Sequence, residues 1–140
     1  MFEGIKYRWQ LRNLENECSR IQKEYAKRRE GLSGQELERI YDEESSVIWP
    51  VLEGIDSLKS RRLCYIAHAS MVPLPDGKDK ELWREQSYSR ERVLTSKGLW
   101  ELKKLIREEK RERREGFVVW LAALTGIIGA ITGLAAVLSR

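Results

Sequence analysis

The chain has 140 residues, and its 26 lysines and arginines outnumber its 22 aspartates and glutamates to give a formal net charge of +4. This length suggests one domain of about 115 residues followed by an apolar C-terminal run. The positive excess is small and much of it lies directly before that run, so lipid headgroups explain it better than nucleic acid. No P-loop, dinucleotide fingerprint, HExxH pattern or EF-hand is present, so no enzyme class is indicated and no cofactor is expected.

Residues 1–70 predict an antiparallel helical hairpin in a mainly α-helical chain. Apolar residues recur at alternating intervals of four and three in the first helix, which is the heptad seam of a coiled coil. The GLSG stretch at 31–34 should break the helix, and the capping-box pair Ser33 and Glu36 should start the second helix. Pro50 should kink that second helix. The predicted hairpin core consists of Tyr7, Leu11, Leu14, Cys18, Ile21, Tyr25, Leu37, Tyr41, Ile48, Leu52 and Ile55.

Residues 71–94 are predicted to be a loop that contains a short extended segment. Pro73 and Pro75 disfavour a helix, and Asp76-Gly77 is a turn signal. A helical turn is expected over residues 79–85, and residues 88–94 are predicted to be extended.

Residues 95–116 predict a third helix that is first amphipathic and then charged. Thr95 is a suitable N-cap, and a face made of Leu99, Leu102, Leu105 and Ile106 should pack on the hairpin. Nothing in the charged part would stop the helix before the apolar run. The cations near that run are predicted to contact anionic lipid; they are Lys103, Lys104, Arg107, Lys110, Arg111, Arg113 and Arg114.

Residues 117–138 form an unbroken apolar run without a charged side chain. As a helix the run would be about 33 Å long, enough to cross a hydrocarbon core of about 30 Å. The sequence therefore predicts a transmembrane helix, with an apolar helix buried in a large complex as the alternative. Because the cations precede the run, the positive-inside rule places the body in the cytoplasm of a single-pass, tail-anchored protein of the inner membrane.

Small side chains follow one stripe of the predicted membrane helix. Such a stripe lets helix backbones approach closely, and threonine hydroxyls can bond across the contact. The stripe therefore predicts a homo-oligomer. Its members are Ala122, Thr125, Gly126, Gly129, Thr132, Gly133 and Ala136.

Cys64 and His68 are four residues apart and would share one face of the second helix. A thiol near a base suggests a nucleophile or half of a metal site. A catalytic pair would also require an orienting group and a pocket, and zinc would require two more ligands. A buried thiol beside a polar neighbour is the preferred interpretation, so no catalytic residue and no metal ligand is assigned. The hairpin geometry also separates Cys18 from Cys64, which argues against a disulfide.

The C-terminal half carries a set of spaced motifs. These are Leu94-Thr95-x-x-Gly98, Leu102, Ile106-Arg107-x-Glu109, a basic run and a glycine-rich apolar end, with Pro73-Leu74-Pro75 and Trp83 upstream. Together they resemble a group of small bacterial single-pass membrane proteins. Such proteins look like products of mobile or prophage-related regions, so the resemblance implies a part in antiviral defence against phage. It carries over no catalytic residue.

A second resemblance concerns the start of the third helix. An extended segment followed by Leu94-Thr95-x-x-Gly98 is similar to the wing-to-helix junction of winged-helix regulators, whose wing contacts DNA. The candidate wing holds Arg84, Arg90 and Arg92. A long heptad hairpin precedes it, where those regulators have a compact helix-turn-helix. A membrane-tethered regulator that binds nucleic acid is therefore the alternative function.

These observations are interpreted as a non-enzymatic, tail-anchored protein that self-assembles. It would act as a membrane scaffold, or as a membrane effector that opens the bilayer, for a cytoplasmic protein partner. Tyr7, Trp9, Leu11 and Leu14 are candidate partner contacts. A Cys/His-dependent enzyme is the third and least favoured function.

Overall fold

Helices dominate the part of the chain that the computed structural model describes, which is residues 2–138 for the backbone and 3–129 for the side chains. The helices are α1 (Phe2–Arg29), α2 (Gln35–Ala69) and α3 (Ser96–Leu138). The strands are β1 (Trp83–Glu85) and β2 (Arg92–Leu94). The prediction of a mainly α-helical chain is confirmed.

Helices α1 and α2 pack against each other along their lengths, as predicted. Arg28 near the end of α1 pairs with Glu43 of α2 at 2.8 Å, and Leu14 lies beside Gly54. The turn between the helices is different from the prediction. Gly34 is the N-cap of α2, with φ of 64° and no side-chain cap hydrogen bond. The Ser33 capping box is therefore wrong, because Ser33 lies one residue too early to cap the first turn.

The α1–α2 seam is only partly shielded from solvent. Of the predicted core residues, Ile21, Tyr25 and Ile55 are buried, while Tyr41 is 49% exposed with the Arg29 guanidinium carbon 4.7 Å from its ring centroid. Two helices without a third layer leave the edges of their seam open to water. The remaining predicted core residues are half-buried: Tyr7, Leu11, Leu14, Cys18, Leu37, Ile48 and Leu52. Helix α2 continues through Pro50.

Strands β1 and β2 form an antiparallel pair in which Trp83 lies opposite Leu94 and Glu85 lies opposite Arg92. The helical turn predicted over 79–85 is therefore wrong in its last three residues, which form β1. The extended segment predicted over 88–94 is shorter, because only its last three residues belong to β2. Strand pairing supplies hydrogen-bond partners that a local pattern does not reveal.

The hydrophobic core lies where the end of α2, strand β2 and the first turns of α3 meet. Its buried members are Leu63, Ala67, Val72, Leu94, Leu102 and Ile106. Thr95 caps α3 as predicted, since its hydroxyl accepts the Gly98 N–H at 3.1 Å. Of the predicted α3 face, Leu99 packs against the core and Leu105 is exposed.

The predicted membrane span is wrong. Over the residues described, no helix has an apolar stretch long enough to cross a membrane. The predicted tail anchor and the inner-membrane localisation are wrong on the same finding. The rest of the predicted span, residues 130–138, lies outside the described side chains.

Candidate functional site

Residues 117–129 of α3 are mostly apolar and are exposed to solvent, and we call them the apolar segment. Every side chain in it is exposed, including Phe117, Val119, Trp120 and Leu121. The Phe117 and Trp120 rings lie 6.3 Å apart at the start of the segment. Each large apolar side chain left in water forgoes about 1.5–3 kcal/mol relative to full burial. A contiguous exposed patch of this kind is the usual mark of an interaction surface.

The predicted small-residue stripe begins inside this segment. Ala122, Thr125, Gly126 and Gly129 are described, whereas Thr132, Gly133 and Ala136 lie outside the described side chains. A Cβ atom added to Gly126 or Gly129 would meet nothing within 4 Å. The Thr125 hydroxyl donates to the Leu121 carbonyl at 2.9 Å, so its hydrogen bond is made within the helix. The two glycines therefore expose bare backbone on the surface of the apolar segment.

The cations that precede the apolar segment are exposed, and several are paired within the same helix. Lys104 lies 3.9 Å from Glu108, Arg111 lies 2.7 Å from Glu115, and Arg113 lies 2.7 Å from Glu109. Such pairs between residues four apart support a solvated helix by a few tenths of a kcal/mol each. Arg107 donates to the carbonyl of Lys103. The lipid contact predicted for these cations depended on the membrane span and loses its basis with it.

The Cys64 thiol belongs to the protein interior. Cys64 is half-buried against the core, and burial raises the pKa of its thiol, which favours the protonated, unreactive form. His68 is exposed. Both cysteines are free. In the part of the chain that is described, no group of three or more metal-ligating side chains is close enough together to hold a metal ion.

Sequence reasoning missed a buried polar network between α2 and the loop that joins β1 to β2. We call this network the clasp; it consists of Glu53 and Ser57 of α2 and residues 86–89 of the loop. The Glu53 carboxylate accepts the backbone N–H groups of Ser87 at 2.8 Å, of Tyr88 at 3.2 Å and of Ser89 at 3.1 Å. Burial alone would raise the pKa of Glu53, but these backbone donors and the nearby Arg84 charge outweigh it and lower that pKa. The carboxylate is thus held ionised with its lone pairs occupied, which suits a clasp better than a proton-transfer group.

Gln86 completes the clasp from inside the loop. Its amide nitrogen donates to the Glu53 carbonyl at 2.8 Å, and its amide oxygen accepts the hydroxyls of Ser57 at 2.9 Å and Ser89 at 2.6 Å. Gln86 and Ser57 are both buried. A satisfied buried network of this kind fixes the loop on α2. No local signal in the sequence predicts it, because its partners are about thirty residues apart.

Most cations of the candidate wing, which holds Arg84, Arg90 and Arg92, are not available to contact a nucleic acid. Arg84 is paired with Asp56 of α2, and Arg92 donates to the Gly77 carbonyl. Arg90 is exposed at a left-handed position with φ of 53°. Two of the three wing cations are therefore engaged within the chain.

The predicted partner contacts on α1 fall in different environments. Trp9 is 65% exposed and lines an open groove with Pro50, Leu58 and Tyr88. Tyr7, Leu11 and Leu14 are half-buried in the hairpin seam. Of these predicted contacts, Trp9 is the side chain that presents most of its surface to a partner.

No protein-family model, curated protein or solved structure matches the chain. The resemblance to small bacterial single-pass proteins and the one to winged-helix regulators therefore stay predictions.

Proposed function

We propose that this protein is a non-enzymatic scaffold whose copies associate through the apolar segment of α3 and whose helical body holds a protein partner. The observation that carries the proposal is that every residue of that segment is exposed, although most of them are apolar. A helix that is apolar on all sides is stable in water only when other surfaces cover it.

A second copy of the chain is the occupant that best fits this surface. Each copy presents the same segment, so a symmetric bundle would cover several sides of every helix at once. Gly126 and Gly129 leave space for a neighbouring backbone, because no described atom of the same chain lies within 4 Å of a Cβ added at either position. Apolar helices with small residues at one face approach each other closely and gain dispersion contacts.

The proposal that the protein is not an enzyme is supported by the hydrogen bonds of Glu53 and by the protonation of Cys64. The Glu53 carboxylate is occupied by backbone donors, and the Cys64 thiol is kept protonated by burial. The polar side chains of Glu53, Ser57 and Gln86 fasten the β1–β2 loop to α2. A scaffold requires such rigid fastening and requires no reactive group.

Substituting both Gly126 and Gly129 by leucine should weaken self-association about tenfold, which is about 1.4 kcal/mol. A Cβ atom at either position meets no described atom within 4 Å, so we expect the monomer to keep its fold. Sedimentation velocity over a dilution series measures the change. Gly116→Leu is the control, since it adds one leucine to the same helix just before the apolar segment, where an added Cβ also meets nothing within 4 Å. Association that is unchanged in the double variant, or equally weakened in the control, contradicts the proposed interface.

A further inference from the structure

A second candidate site lies at the junction of the three helices. It is a groove of about 360 Å³, and its lining includes the apolar side chains of Leu63 and Ile66 of α2 and Leu99 of α3. Four cationic side chains also line it. They are Arg8 of α1, Lys59 and Arg62 of α2, and Lys103 of α3. The helices bring these cations together from positions far apart in the chain.

The positive charge of this groove is not neutralised by acidic side chains among the described residues. Among the residues that the structure describes, none of those lining it carries a carboxylate. None of its four cations takes part in an ion pair among the described residues, although many other cations of the chain do. Like charges held close together beside apolar side chains repel one another and attract an anion. The groove therefore has the charge expected of a site for an acidic ligand.

Arg62 is held in position to meet such a ligand. Its guanidinium carbon lies 5.7 Å from the ring centroid of Tyr7 and 5.5 Å from that of Tyr65. These contacts use the faces of the rings and leave the N–H donors of the guanidinium for an acceptor. Because these ring contacts restrict the side chain, less conformational entropy is lost when a carboxylate binds.

We propose that this groove binds an acidic segment of a partner protein, in which apolar side chains enter the groove and flanking aspartates or glutamates meet the four cations. The volume suits one or two aliphatic side chains. A nucleic acid is the poorer fit, because bases stack on aromatic faces and the face of Tyr7 is covered by Arg62. The inference names the partner chemistry of the proposed scaffold and to that extent rests on the proposed function.

The test is fluorescence anisotropy with a short labelled peptide in which two leucines are flanked by glutamates. We expect the full-length chain to bind it and the binding to weaken as salt is added. Arg62→Gln should weaken binding about tenfold, since a charge-assisted hydrogen bond is lost. Arg8→Glu combined with Lys103→Glu should abolish binding; both side chains are exposed, so this variant tests the groove without disturbing the core.

Controls separate the groove from general attraction between charges. Lys23→Gln removes the same charge from an exposed site elsewhere on α1 and should change affinity less than twofold. Equal loss in Lys23→Gln and Arg62→Gln overturns the proposal, as does equal binding of a peptide with glutamines in place of the glutamates. Arg62-dependent binding of a single-stranded oligonucleotide without binding of the peptide also overturns it.

Peptide binding and self-association are measured separately. The Gly126→Leu, Gly129→Leu variant should bind the peptide as the unsubstituted chain does, because the groove lies on the helical body. If the chain assembles and the peptide does not bind, the groove proposal fails and the scaffold interface stands. If the peptide binds to a chain that never assembles, the interface fails and the groove stands.

Discussion

Gly98→Val should lower the free energy of unfolding by about 3 kcal/mol. A Cβ atom at this position would lie 2.3 Å from the Leu82 carbonyl oxygen and 3.1 Å from a methyl group of Leu94. The carbonyl cannot move aside easily, because it accepts the Thr95 N–H at 2.9 Å and so fixes the start of α3. The clash would push α3 away from the β1–β2 pair and loosen the core around Leu102. Urea unfolding followed by circular dichroism measures the loss.

The matched control for this prediction is Gly116→Val, in the same helix. A Cβ at Gly116 meets nothing within 4 Å, and valine suits a helix better than glycine does. Gly116→Val should therefore leave the midpoint of urea unfolding unchanged or slightly raised. Similar destabilisation by the two substitutions would contradict this prediction. The cost would then come from placing valine in a helix, and not from the close approach of Gly98 to the Leu82 carbonyl.

Glu53→Ala should lower the melting temperature by about 5 °C or more and release the β1–β2 loop. The substitution leaves the backbone N–H groups of Ser87, Tyr88 and Ser89 without the acceptor that holds them on α2. Amide hydrogen exchange at these three residues should accelerate, while exchange in the core turns of α3 should change less. Glu85→Ala in strand β1 is the control, since Glu85 is exposed and its removal should leave loop exchange unchanged.

The same clasp predicts an acid-sensitive loss of stability. The pKa of Glu53 is lowered in the folded chain from its ordinary value of 4.5, so its contribution is fully present above that value. The contribution is lost as the pH falls below 4.5 and through the lower folded pKa, because protonation removes the carboxylate that the loop donors require. Melting temperatures measured between pH 7 and pH 3 should therefore fall less steeply in Glu53→Gln than in the unsubstituted chain. Parallel curves would exclude Glu53 as the cause.

Local signals in the sequence predicted the helices and the start of α3 well. The heptad spacing from Tyr7 to Tyr25 predicted the first arm of the hairpin, and Thr95 was identified as the cap of α3. These features depend on neighbours within one or two helical turns. The Ser33 capping box failed because Gly34, with its positive φ, places the helix start one residue later.

Features that join distant parts of the chain were not predictable in this way. Strand β1 exists because Trp83 pairs with Leu94, and the Glu53 clasp joins α2 to a loop more than thirty residues away. The cationic groove combines Arg8, Arg62 and Lys103 from three helices. The apolar run was the strongest local signal, and it led to the wrong membrane prediction. Apolar side chains indicate that a surface is stable when it is buried, but they do not tell whether lipid or protein buries it.

The mass of the full-length chain in solution tests the scaffold most directly. Sedimentation equilibrium or light scattering coupled to size exclusion, over a wide range of concentrations, should give a discrete multiple of the 16.4 kDa chain mass that dissociates on dilution. The apolar segment requires this result, since copies of the chain are proposed to cover it. A mass of 16.4 kDa at every concentration would contradict the proposed self-association.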